Sequence, residues 1–130
     1  MSTIAIPLAN KDKYENNLLV VLDGINDEMT ISKKSHDPKV IGVTTDYDNA
    51  ELGLNDFGEN PHRLVAVSGR ILCYVKGPIG FGDCIVTSDK EGVGQKLDQT
   101  KYVPGCIIGK SLTTIKDNSV ELVEMVLTTA

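Results

Sequence analysis

Apolar runs of about four to eight residues, each closed by glycine, proline, asparagine or aspartate, return along the whole chain, and no segment sustains a period near 3.6. That pattern restricts the chain to short strands joined by tight turns. The strongest run is Leu64 to Lys76. Val65, Val67, Ile71, Cys73 and Val75 share one parity, and Leu64, Ala66, Ser68, Arg70, Leu72, Tyr74 and Lys76 share the other. Gly69 in its middle predicts a bulge or a bend, because a strand interior gains nothing from glycine.

Shorter runs surround it. Thr3 to Leu8 alternates with Ile4, Ile6 and Leu8 on one side, and Pro7 marks an edge strand or an extended arm. Leu18 to Leu22 ends at Asp23-Gly24, Met29 to Ser32 returns, and Val40 to Thr44 follows Asp37-Pro38. After the compact turn Gly77 to Asp83 come Cys84 to Thr87, Val93 to Leu97 and Cys106 to Leu112. Val120 to Leu127 closes the series, with Val120, Leu122, Glu124 and Val126 opposite Glu121, Val123, Met125 and Leu127. The stretch from Asp46 to Arg63 reads as a surface loop in preference to a single helical turn near Ala50 to Leu54.

These signals predict an all-β fold with little helix: a small closed or clipped barrel or sandwich of about eight to ten short antiparallel strands. Residues 1–17 form an N-terminal arm or edge strand, and residues 18–130 one β domain. The 130 residues suit a single domain, and 41% hydrophobic with 24% charged residues suits a globular one. A weak internal echo joins two stretches. Leu18 to Leu22, a turn, a short strand, a proline and Val40-Ile41-Gly42 repeats as Cys84 to Thr87, a turn, a short strand, a proline and Ile107-Ile108-Gly109.

Charge and motifs exclude several functions. A net charge of −5 and scattered lysines and arginines give no basic stripe, so no nucleic-acid partner is expected. No apolar run approaches the roughly 20 residues that cross a membrane as a helix, and no signal peptide is visible. Cys73, Cys84 and Cys106 are odd in number, lack CxxC spacing and sit in apolar runs, so they read as reduced core residues of a protein made in a reducing cytoplasm.

His36-Asp37 and His62-Arg63 have no partners at metal-ligand spacing, and no cofactor or metal is expected. Ser68 and Ser111 lack a GxSxG elbow. Gly77 to Gly82 lacks the Lys-Ser/Thr of a phosphate loop, and the acidic loop from Asp46 to Glu59 lacks EF-hand spacing. No catalytic residue is assigned.

The order Ile41-Gly42-Val43, Leu64 to Ile71, Val75 to Ile79, Gly82 to Ser88 and Gly105 to Leu112, with a last strand rich in valine and glutamate, resembles the β-rich modules of tailed-phage virion proteins. These include terminal domains of tail fibres and neck appendages. The shorter pattern Val-Val-Leu-Asp, Ile-Gly-Val, Val-Ser-Gly is similar to capsid decoration, or cement, proteins. The resemblance implies a non-enzymatic virion component made in a host cytoplasm. It would be a homotrimer attached to a major capsid or tail protein. It also implies structural roles for Gly42, Gly69, Gly77, Gly82 and Gly109. Partner contacts are expected at Leu64, Leu72 and Tyr74, left over from strand alternation, and at Ile4, Ile6 and Leu8 of the arm. A self-processing fibre domain or a small β-fold hydrolase, as in dUTPase-like proteins, is the alternative, although no dUTPase-type motif is present.

Overall fold

The alternating stretch becomes one long strand, β6 (His62–Lys76), and every other part of the molecule is arranged around it. The computed structural model describes residues 4–9, 15–23, 28–46, 51–52 and 62–128. Before β6 come β1 (Ile4–Ala9), β2 (Leu19–Asp23), β3 (Glu28–Ile31), β4 (Val40–Thr44) and β5 (Glu51–Leu52). After it come β7 (Cys84–Thr87), β8 (Gly94–Lys96), β9 (Gly109–Ser111) and β10 (Val120–Leu127). The one helical element among the described residues is a 3-10 turn at Gln99–Lys101. Within the stretch read as a surface loop, Glu51 and Leu52 pair in parallel with Ile4 and Ala5 of β1. Residues 47–50 and 53–61 lie outside the described residues.

The second half of β6 closes a five-stranded barrel in the order β6-β10-β9-β7-β8 and back to β6. A ring of five strands cannot alternate direction all the way round, so at least one neighbouring pair must be parallel. Here it is β6 with β8, through Val75↔Gly94 and Lys76↔Gln95. This is why the expected antiparallel pattern has an exception. The first half of β6 belongs to a second sheet, β1-β6-β4-β2-β3, whose ladders are antiparallel, with β5 added in parallel at β1.

The two sheets share one topology and one register. Val20↔Gly42 and Val20↔Ile31 in the first match Ile85↔Gly109 and Ile85↔Lys96 in the second. Val43↔Ala66 and Ala5↔Ala66 match Lys110↔Val126 and Arg70↔Val126. The connecting hydrogen bonds also correspond. Asn17 N–H donates to Thr44 O (2.8 Å) as Gly82 N–H donates to Ser111 O (2.7 Å). Ser32 N–H donates to Leu19 O (3.0 Å) as Leu97 N–H donates to Cys84 O (2.9 Å). The chain therefore contains two copies of one five-stranded unit, residues 4–68 and 69–128, and β6 is the last strand of one and the first of the next. The closing pair of the barrel has no described counterpart in the first unit, because Val75 corresponds to residue 10, outside the described residues.

Gly69 makes this double use possible. Its φ of 96° lies in the left-handed region that side chains avoid. Just before it the ladder with β1 slips, passing over Val67 between Ala5↔Ala66 and Ile4↔Ser68, and the alternation shifts by one residue. Before it, Ala66 points into the main core while Val65 and Val67 join a smaller cluster with Val20, Met29 and Ile41. After it, Ile71, Cys73 and Val75 point into the main core. That main core holds Leu19, Val21, Val43 and Ala66 of the first unit beside the barrel residues of the second.

The units are also laced by backbone. Leu19 N–H donates to Gly92 O (2.8 Å), Gly92 N–H to Ser32 O (3.0 Å) and Tyr74 N–H to Asn17 O (3.1 Å). The segment Asn17 to Leu19 thus lies along the seam between β6 and the turn before β8, and Leu19 reaches the neighbourhood of Gly94 inside the barrel.

Candidate interaction surface

Beyond Gly69 the even residues of β6 face outward, because only the odd ones are needed to fill the barrel. Arg70, Leu72 and Tyr74 lie opposite Val126, Glu124 and Leu122 of β10. Leu72 is 45% exposed and Leu122 42%, while Tyr74 and Val126 are half-buried. The Arg70 guanidinium pairs with the Glu124 carboxylate across the two strands. Exposed on both sides, that pair contributes little to folding. A shallow cleft of about 400 Å³ runs beside it, lined by Asn17, Arg70, Leu72 and Glu124. The face is an apolar centre with a charged edge.

Of the expected contact residues, Leu72 and Tyr74 are on this face, and Leu64 is not. Leu64 is buried because β6 before Gly69 is covered on both faces. Ile4, Ile6 and Leu8 pair with Ser68, Val65 and Arg63 within the same chain. Sequence reading missed Leu122, although the alternation of β10 already set it apart from Val123 and Met125. It also missed Phe81, 72% exposed at the tip of the turn between β6 and β7.

The groups with chemical potential are occupied in holding the fold. His36 is buried, and its Nε2 accepts from Asp98 N–H (3.0 Å). That nitrogen carries no proton, so Nδ1–H donates to Ser35 Oγ (2.5 Å). Ser35 Oγ also accepts from Gln95 Nε2 (2.9 Å). A serine that accepts a hydrogen bond from histidine is not being activated by it. The same loop is fixed by His36 N–H to Thr87 O (3.1 Å) and Asp37 N–H to Thr87 Oγ1 (2.8 Å). The cluster is a clamp between the two units.

In the glycine-rich turn, the Asp83 carboxylate takes Gly80 N–H (2.7 Å), Ser111 O takes Gly82 N–H, and Thr114 Oγ1 takes Phe81 N–H (3.3 Å). Its backbone donors are already used, so it is not a ready phosphate cradle. Ser111 Oγ closes a turn onto Thr113 (2.6 Å to the carbonyl), and Ser68 is exposed on β6. His62 and Arg63 open β6. Most of the acidic loop after Asp46 lies outside the described residues. Among the described residues no three His, Cys, Asp or Glu side chains converge on a metal position, and no helix is long and apolar enough to cross a membrane.

Cys73 and Cys106 are buried free thiols, and burial pushes the Cys73 thiol up to about 12 against a weaker opposing hydrogen bond from the Gly94 backbone. Cys84 departs from the expected core position. It is partly exposed, because it opens β7 on the barrel's outer side.

The five framework glycines have physical reasons. Gly69 and Gly82 have positive φ. A Cβ on Gly42 would run into the Ala66 carbonyl, and one on Gly109 into the Val126 carbonyl, which is the corresponding atom of the other unit. A Cβ on Gly77 would meet the Asp117 carbonyl. No known protein family, curated protein or solved structure matches the chain.

Proposed function

We propose that this chain is a structural, non-enzymatic component of a tailed-phage particle. It is a small β-module that associates with itself, as a trimer, and attaches to the capsid or caps a tail or fibre. The observation that carries this reading is the outer face of β6 and β10, where Leu72, Tyr74 and Leu122 leave apolar surface uncovered beside the Arg70–Glu124 pair. Apolar centres with charged edges are typical of surfaces that meet another protein. The clamp role of Ser35 and His36 and the filled glycine turn also favour a structural part over a catalyst. The framework glycines that carry the phage resemblance sit at close backbone approaches or at positive φ.

Mass spectrometry of purified particles tests the reading. The expected result is this chain, intact, at a copy number comparable with other structural proteins. Its absence from particles would overturn the proposal. A chain cut at one internal site would point to the self-processing alternative. Multi-angle light scattering of the purified protein tests the trimer, and a stable monomer at micromolar concentration counts against it.

A further inference from the structure

We propose that the outer face formed by β6, β10 and β9 receives a partner protein that presents an apolar side chain and a carboxylate together, the carboxylate to Lys110. The inference rests on the attachment in the preceding reading and adds the chemistry of what attaches. The register lays this face out in rows. Arg70, Val126 and Lys110 stand opposite one another across β6, β10 and β9. Leu72 and Glu124 form the next row, and Tyr74 and Leu122 the third. Opposite residues of an antiparallel pair share a side of the sheet, and residues two apart along a strand return to it. The face therefore runs from a basic end to an apolar end. Val126 and Leu122, four residues apart on one strand, set the two ends about 14 Å apart.

The charges on this face do not balance. The Glu124 carboxylate is taken up by Arg70. Asp83 precedes Cys84, the residue paired with Lys110, and its carboxylate is held by Gly80 N–H (2.7 Å) and Lys96 Nζ (3.6 Å). Lys110 is exposed and makes no ion pair among the described residues. A cation left over beside uncovered apolar surface, in a chain of net charge −5, calls for an acidic edge on whatever covers it. The apolar end is enlarged by Phe81, whose turn is fixed in place. Phe81 N–H donates to Thr114 Oγ1 (3.3 Å) and Gly82 N–H to Ser111 O (2.7 Å). Thr113 Oγ1 in turn accepts from Glu124 N–H (3.2 Å), so the turn is fastened to the segment that borders the face. An exposed aromatic ring on a pre-ordered turn loses little freedom on docking and suits an anchor in a partner's pocket.

NMR titration of the full chain with two synthetic helical peptides tests this. One carries leucines and glutamates along a single stripe, and the other carries leucines and lysines. At low salt the glutamate peptide should shift Lys110, Leu122 and Phe81, and should bind at least about tenfold more tightly than the lysine peptide. Lys110→Glu alters an exposed residue, should keep the fold, and should erase or invert that preference. Leu122→Ala should weaken the glutamate peptide by about fivefold. Equal binding of the two peptides, shifts confined to other surfaces, or no binding at millimolar peptide overturns the proposal. So does hydrogen exchange on the chain alone, if β10 becomes protected as concentration rises, because a second copy is then the occupant. Selective binding by a chain that is missing from particles leaves this inference standing and removes the particle reading. A chain present in particles that does not distinguish the peptides does the reverse.

Discussion

The two units of this chain agree where the backbone is crowded and differ where it meets solvent. Gly42 and Gly109 stand at the same register position, each with the carbonyl of a corresponding residue pressed against its Cα. The outer faces have parted: Val43 is buried against the second unit, and its counterpart Lys110 is in water. Leu64 is buried, and its counterpart Glu124 holds Arg70 at the surface. Sheet topology is therefore set by ladder register and close backbone approach, which tolerate almost no change. The character of the outer face follows from what covers it.

That comparison breaks most visibly at its most buried point. Val43→Lys places an unpaired charge in the main core and should cost at least about 4 kcal/mol, while the mirror change Lys110→Val should stay within about 0.5 kcal/mol. Urea denaturation of both variants measures this, and equal losses would mean the two faces are not in different surroundings. Next come the paired glycines. Gly42→Ala and Gly109→Ala each force a Cβ onto a carbonyl and should cost about 2–3 kcal/mol, alike in both units. A loss confined to one of them would dissolve the equivalence.

Smaller changes sharpen the picture. Cys73→Ser buries a hydroxyl in the barrel and should cost about 1–3 kcal/mol, whereas partly exposed Cys84→Ser should cost under about 1 kcal/mol. Mass spectrometry after brief thiol labelling should find Cys84 modified ahead of Cys73 and Cys106. The left-handed turn gives a subtler test. Asn17 (φ 71°) and Gly82 (φ 89°) are counterparts with the same conformation. Gly82→Asn should therefore cost only a few tenths of a kcal/mol, and Gly82→Ala about 1 kcal/mol. A melting-temperature comparison of the two variants decides it.

Much of this was legible in the sequence. Val40–Thr44, Cys84–Thr87 and Val120–Leu127 are read directly from apolar runs and turn residues, and their observed bounds coincide with the reading. The echo between Val40-Ile41-Gly42 and Ile107-Ile108-Gly109 marked the repeat, but two short apolar runs cannot carry a register. The matched ladders do. The parallel closure of β6 on β8 was not legible, because it depends on how many strands complete the ring. Leu64 and Leu72 share a parity, and only the slip at Val67, with a different neighbour on either side of it, buries one and exposes the other. His36 looked like a loop histidine beside an acid. Its role in the clamp comes from Asp98, Gln95 and Thr87, which are distant in sequence.

The smallest expected effect is a pH dependence carried by two turns of the second unit. Asp98 and Asp117 belong to the second unit, and both carboxyls are held below the ordinary aspartate value of 3.8. The cause is local. Asp98 accepts from Thr100 Oγ1 (2.7 Å) and Thr100 N–H (3.0 Å), and Asp117 accepts from Ser119 Oγ (2.5 Å) and Ser119 N–H (3.0 Å). These bonds favour the charged form. A carboxyl whose folded pKa is depressed stabilises the fold above its unfolded pKa, and that contribution disappears as pH falls through the folded value. Asp98→Asn and Asp117→Asn should therefore weaken the fold slightly at neutral pH and reduce its loss of stability below about pH 4. Both groups are exposed to solvent, so the effect is small and diminishes with salt. Carbon-detected NMR titration of the two carboxyls reads the cause directly. If both titrate at or above 3.8, the turns do not hold the charge, and the acid sensitivity of the second unit must come from elsewhere.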